Sequence, residues 1–269
     1  MVVTNTMEKI KINFNEPHVT YRLKNGEVVV GTTTAIGMLN KPALPMWGFN
    51  TGKEPRFKSI NEAAKTTNCN LKKLKKEEAI RWAFGAGQER KFQSLYGQRD
   101  KAANIGTIAH TILQLREQGL EVDNSNIDEE AWNLALKCVE SHDKWFEGMA
   151  IETIFVEKEL VSEVWRYGGK IDKYAYVTKE ETLIDYKSGK DIYDEYWVQL
   201  TAYINLLLED GHPVKRAILV NMPKTKGDNF KIDSKSVDSL FEAGYFEMFL
   251  AAKSAYYAAQ KIKAYKEVF

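Results

Sequence analysis

Cysteine is nearly absent from this chain: Cys69 and Cys138 are the two in 269 residues. Two are too few for a disulfide framework, and too few for an iron–sulfur cluster held by four thiolates. Long apolar runs are missing as well, since none approaches the ~20 residues needed to span a bilayer. The N-terminus lacks the basic segment and apolar core of a signal peptide, so the sequence predicts a cytoplasmic protein. No glycine-rich loop ending in Lys-Ser or Lys-Thr occurs, which argues against a bound nucleotide cofactor and against ATP-driven translocation by this chain. There is no internal repeat and no low-complexity tract. What remains, with 44% apolar and 28% charged residues, is the composition of an ordinary globular protein long enough to bury a substantial core.

Net charge is also small, at +1, but its distribution is uneven. Residues 53–101 carry thirteen Lys and Arg against six Asp and Glu, with Lys72, Lys73, Lys75 and Lys76 nearly consecutive. Residues 117–163 carry thirteen acids against three bases. A basic lobe of this kind is suited to tracking a phosphate backbone, although the lysine run also fits a solvated helix face.

Alternating segments at Ile10–Phe14, Val19–Leu23 and Val28–Val30, with Asn25-Gly26 between the last two, predict an N-terminal β-hairpin. Helices are expected from Thr33 to before Pro42, and over about 71–84, 86–96 and 104–118. Asp128-Glu129-Glu130 opens another, running to about Gly148 with Trp132, Leu136, Val139 and Trp145 toward the core. The pattern then changes period. Strands are expected over 152–161, 165–177 and 182–186, the first two turning near Ser162-Glu163. A helix over 193–209 stops at Gly211 and Pro213, strands follow over 214–222 and 230–232, and 236–267 is helical.

Chemistry concentrates between Gly168 and Tyr203. Successive strand residues alternate faces, so Asp185 and Lys187 project to one side and Ile184 and Tyr186 to the other. If the segment carrying Asp172 pairs alongside, two carboxylates and an ammonium meet, and carboxylates hold hard divalent cations. His110 lies off the aliphatic stripe of Ile105, Ile108, Ile112 and Leu115, on the side of Thr107 and Gln114, and so faces a cleft rather than the core. Glu157 and Glu159 share a strand face, and Gln199 and Tyr203 lie one helical turn apart beside Tyr196. Gly168 and Gly169 mark a bulge or close backbone approach. His18, His142 and His212 have no partner pattern and read as ordinary surface or core residues.

Taken in order, Gly106-Thr107-Ile108-Ala109-His110, Gly169-Lys170-Ile171-Asp172, Asp185-Tyr186-Lys187 and Gln199-Leu200-Thr201-Ala202-Tyr203 resemble the PD-(D/E)xK nuclease superfamily, and within it the RecB-like exonucleases of phage type. The resemblance covers roughly residues 104–222. The proline of the family name is replaced by Ile171, which touches no ligand. The resemblance implies an α/β fold with a restriction-endonuclease-like core, a mixed central β-sheet flanked by helices, here joined to an N-terminal β-hairpin and helical cap. The division expected is 1–103 for hairpin and basic cap, and 104–269 for the nuclease core with its C-terminal helix.

The same resemblance implies a site. Its metal ligands are His110, Asp172, Asp185 and the Tyr186 backbone carbonyl, with Glu157 in support. Its catalytic residues are Asp172, Asp185, Lys187 and Gln199, with Tyr203 contacting the DNA strand and Trp47 as a stacking residue; the charge pattern adds Lys190 and the lysines at 72, 73, 75 and 76 as phosphate contacts. Mg2+ is the implied cofactor, with Mn2+ able to substitute because an imidazole ligand suits it. The implied activity is a DNA exonuclease leaving 5′-phosphate and 3′-hydroxyl ends. DNA strands or ends would be the substrate and a recombination or annealing protein a partner, in a virus-encoded setting within the host cytoplasm. A flap or junction endonuclease, and a subunit that binds DNA without cleaving it, remain as alternatives.

Overall fold

The structure, a computed structural model, describes residues 8–12, 19–39, 105–188, 191–222 and 230–268. Two compact units divide the chain: Met1–Leu39 with Asn104–Phe269, and Asn40–Ala103. The second unit lies outside the described residues, and with it the expected helices over 71–84 and 86–96, Trp47 and the lysines at 72, 73, 75 and 76. The described elements are β1 (Lys9–Lys11), β2 (Tyr21–Arg22), β3 (Val28–Gly31), α1 (Thr32–Ile36), α2 (105–117), β4 (Glu121–Asp123), α3 (Glu129–Phe146), β5 (Ile151–Ser162), β6 (Tyr167–Val177), β7 (Glu180–Lys187), α4 (Asp194–Glu209), β8 (Arg216–Asn221), β9 (Lys231–Ser236), α5 (Val237–Glu242) and α6 (Tyr245–Val268).

The fold is mixed α/β, with a seven-stranded mixed sheet flanked by helices, the layered arrangement of a restriction-endonuclease-like core. β6, β7, β8 and β9 run side by side, and β5 covers the other edge of β6. β7 and β8 are parallel, and parallel neighbours need a crossover; α4 supplies it. Leu183, Ala217 and Leu219 join one core cluster with α4, α5 and α6, while Ile184, Ile218 and Val220 join a second with α2 and α3. Strand alternation thus sorts neighbouring residues into two layers of core.

The hairpin belongs to this sheet and not to a separate cap. Val30 and Gly31 pair in parallel with Tyr167 and Gly168, and Met1–Leu39 forms one compact unit with Asn104–Phe269. Its turn closes with Gly26 N–H on the Leu23 carbonyl (2.8 Å), and Gly26 takes φ +87°, a region glycine enters without steric cost. Three other features differ from expectation. Lys9–Lys11 pairs in parallel with Glu121–Asp123, a strand that was not expected. On α3 the buried stripe is Ala131, Ala135, Cys138, Val139 and His142; Trp132, Leu136 and Trp145 are half-buried flanks packed against the same cluster. Asp128 caps α3 by accepting from Ala131 N–H (3.1 Å). The expected C-terminal helix is two, α5 and α6, broken at Gly244 with φ +81°.

Candidate metal centre

β6 and β7 pair from Val177↔Glu180 to Lys173↔Ile184, and there the ladder stops. The next pair would set Asp172 opposite Asp185. Instead the Asp172 carboxylate accepts the Tyr186 N–H at 2.9 Å, satisfying a backbone donor that the parting strands leave open. On the other edge of β6, β5 is irregular: its register shifts between Thr153 and Phe155, and Glu157, across from Asp172, takes φ +54°. A non-glycine residue in that region is strained, and such strain persists where surrounding contacts over-determine it. Glu157 and Glu159 both act on Lys170, as their expected common face requires. The strand distortions let side chains from three elements meet.

His110, Glu157 and Asp172 each offer a ligand atom within 4.8 Å of the others. His110 Nδ1 lies 3.8 Å from Asp172 Oδ2, and its ring is also hydrogen-bonded to the Tyr186 backbone. Burial holds the His110 pKa below its ordinary value, so the neutral imidazole a metal requires is the favoured form. Glu157 is ion-paired with Lys170. These three residues could hold a metal ion. The cleft they line, with Glu117, His142 and Lys173, has room of about 20 Å³, enough for one water or ion.

Asp185 stands outside that set of three. It is 1% exposed, and among the described residues Oδ1 has no hydrogen-bond partner while Oδ2 meets the Lys187 ammonium. Lys187 Nζ comes within 2.5 Å of Oδ2, a charge contact without hydrogen-bond direction. Burial pushes both Asp185 and Asp172 up to about 6, against the opposing charge of Lys187; each carboxylate also feels the acid nearest it, Asp172 for the former and Glu157 for the latter. A buried acid held this way lacks the donors that would make its ionised form comfortable.

Lys187 donates to Gln199 Oε1 (3.0 Å), and Gln199 donates through Nε2 to the Tyr203 hydroxyl (2.8 Å). Tyr196 lies under Lys187, its ring centre 5.3 Å from Nζ. Tyr203, expected to contact a DNA strand, is 4% exposed: its ring lies in the core and its hydroxyl accepts from Gln199 Nε2. A Cβ at Gly169 would lie 2.6 Å from Tyr203 Cε1, and one at Gly168 2.2 Å from Tyr21 Cγ, so both glycines permit close packing against β6. Lys190 lies outside the described residues.

Sequence reasoning missed three polar residues of this cleft: Glu117, Lys173 and His142. Lys173 is 3% exposed and ion-paired with Glu117, seven residues from His110 on the same helix face. That spacing was a usable signal. His142 continues the buried stripe of α3, which was visible only once the small residues were recognised as the core side.

No family model and no curated protein matches the chain. Among solved structures it is similar to an alkaline exonuclease (LHK-Exo) from Laribacter hongkongensis, with 16% identity and a TM-score of 0.31 over 62% of this chain and 91% of that one. It is also similar to a provisionally assigned exonuclease from Eubacterium rectale, with 10% identity and a TM-score of 0.32 over 76% of each chain. The functional reading therefore rests on the geometry of the site.

Proposed function

We propose that the chain is a divalent-metal-dependent DNA exonuclease of RecB-like, PD-(D/E)xK type, hydrolysing phosphodiester bonds to leave 5′-phosphate and 3′-hydroxyl ends. The observation that supports this best is Asp185, buried with Oδ2 against the Lys187 ammonium, with Oδ1 unpartnered among the described residues, and within the field of Asp172 and His110. Carboxylates with unmet acceptor capacity, a neutral imidazole and a strained glutamate form a donor set that fits Mg2+, and the nitrogen suits Mn2+. A divalent cation bound there supplies positive charge against that developing on the phosphoryl oxygens and lowers the pKa of water.

The side chains have separate tasks in this reading. Asp172, Asp185 and His110, with the Tyr186 carbonyl and Glu157, set the cation's position. Lys187 holds the attacking water or a phosphoryl oxygen by charge and hydrogen bond, and Gln199 fixes where its ammonium points. Tyr203 positions Gln199 from below. Lys190, the lysines at 72, 73, 75 and 76, and Trp47 are assigned to the DNA strand, where basic side chains neutralise phosphates and an aromatic stacks on a base. Substrate is taken as single strands or DNA ends, in recombination, repair or replication processing.

The test is digestion of end-labelled linear, circular and flapped DNA with Mg2+, Mn2+ or chelator. Linear DNA should be degraded from an end with either metal, circular DNA should survive, and chelator should stop the reaction. Asp185→Ala and Lys187→Ala should lose cleavage and keep DNA binding. Robust digestion by either variant, or in chelator, refutes the proposal; cutting of circular single strands makes the enzyme an endonuclease.

A further inference from the structure

A line of polar groups on the α2–α3 side of the sheet takes no part in the chemistry above. Arg116 on α2 donates through Nη1 to both carboxylate oxygens of Asp143 on α3, at 2.8 Å each. Asp143 Oδ1 is 3.1 Å from His142 Nδ1, and His142 Nε2 is 3.2 Å from the Tyr186 hydroxyl on β7. The direction of these bonds follows from the groups. Although burial pushes the Asp143 carboxyl up, hydrogen bonds from Arg116 and His142 bring it below its ordinary value, so it is ionised and accepts. His142 Nδ1 then carries the proton, Nε2 is the acceptor, and the Tyr186 O–H donates to it.

Tyr186 is where this line reaches the candidate centre. Its N–H holds Asp172, its backbone is bonded to His110, and its ring meets His110 edge-on at 5.6 Å. Both Arg116 and His110 belong to α2, so the circuit closes: α2 to α3 to β7 and back to α2. A closed circuit fixes the register of α2 against β7. That register determines how far the His110 ring stands from the Asp172 carboxylate.

We propose that His142, with Asp143 and Arg116 behind it, is a positioning residue for metal binding, acting through the Tyr186 side chain to hold His110 and Asp172 at ligating separation. This rests on the metal-centre reading above. The outer groups of a metal site orient the ligands that touch the ion, and removing one costs roughly 10- to 100-fold in metal affinity or activity. A purely structural role would lower stability and leave the affinity of the intact fold unchanged.

The experiment measures Mn2+ binding to the full chain by titration calorimetry, beside thermal denaturation of the same samples. Tyr186→Phe keeps the ring and removes the hydroxyl; His142→Phe keeps a planar ring and removes the acceptor. Each should weaken Mn2+ binding about tenfold. His142→Gln, whose amide can accept from Tyr186 and donate to Asp143, should recover most of that affinity. Val139→Ala, in the same buried stripe of α3 but outside the circuit, should lower the melting temperature and bind Mn2+ as the wild type does. Wild-type affinity in both Tyr186→Phe and His142→Phe would overturn the positioning role while leaving the centre standing. An equal loss in Val139→Ala would overturn it too, since general loosening would then suffice. A wild type that binds no Mn2+ would remove the centre itself, and the positioning role with it.

Discussion

The two faces of the sheet meet at the candidate centre with different chemistry. On the α4 face, Asp185, Lys187, Gln199 and Tyr203 follow one another, and the acid at the head has only the Lys187 ammonium as a polar partner among the described residues. On the α2–α3 face, His110, Asp172 and Tyr186 are wired into a polar network that ends on the exposed Arg116. One face holds a buried carboxylate whose sole polar partner among the described residues is a lysine, and the other carries a chain of hydrogen bonds. The difference suggests a division of labour in which Lys187, Gln199 and Tyr203 of the first face set the rate of the chemical step, while the second face, with Asp185 as a ligand shared between the two, sets how tightly the cation is held.

The largest expected effect breaks the first face at its head. Asp185→Asn should lower the rate at saturating Mg2+ at least about a hundredfold, the scale on which single electrostatic contacts to a transition state act. The same change should stabilise the metal-free protein. A folded-state pKa near 6 against an ordinary 3.8 means the folded chain binds more protons, so stability falls as pH rises between those values and the full penalty stands at pH 7. Two units amount to at most about 3 kcal/mol. Asp185→Asn should therefore melt higher than wild type at pH 7 without metal, and the gap should close toward pH 4. A lower melting temperature at pH 7 would show that Asp185 is not under strain.

Packing supplies the next effect. Gly169→Ala would push a methyl against Tyr203 Cε1 and Leu206 Cδ1, both in the core below α4. Overpacking of this kind costs about 1–3 kcal/mol. Because the displaced ring carries the hydrogen bond to Gln199, cleavage should fall along with the melting temperature, while Mn2+ affinity stays near that of the wild type. A loss of Mn2+ affinity in this variant would mean that the two faces are not independent.

Much of the α4 face was legible in the sequence because strand alternation and helical spacing are local rules. Asp185 and Lys187 share a side by parity alone, and Gln199 and Tyr203 by one helical turn. The other face was legible in its ligands and not in their support. Parity fails where a strand is distorted: Ile171 and Tyr174, three apart on β6, both enter the cluster under α4, while Lys173 reaches Glu117 on the opposite side. Nothing in Glu157 itself announces a positive φ. His142 was hidden by the weight of Trp132, Leu136 and Trp145, which pack against the core from the flank of a stripe that small residues, Ala131, Ala135 and Cys138, mark out. The β1–β4 pair escaped for another reason. Three-residue strands have too little length to show a period, and their partners are more than a hundred residues apart.

Smaller changes sharpen the comparison by leaving both faces folded. Gln199→Ala frees the Lys187 ammonium from its acceptor and should cost about tenfold in kcat, as misplacement of a positioned group does, with Mn2+ affinity unchanged. Tyr203→Phe goes one bond further back. It removes the hydroxyl that accepts from Gln199 Nε2 but keeps the buried ring against Gly169 and Leu206. The net worth of one hydrogen bond is about 1 kcal/mol, so the rate should fall by no more than about fivefold. Paired with Tyr186→Phe on the other face, it gives a clean opposition: one hydroxyl removed from each side of the same strand pair. Steady-state kinetics over a Mn2+ titration should show a lowered plateau for Tyr203→Phe and a shifted midpoint for Tyr186→Phe. Equal shifts of midpoint in both would mean that rate and cation affinity are set by one shared network, and the division between the faces would not hold.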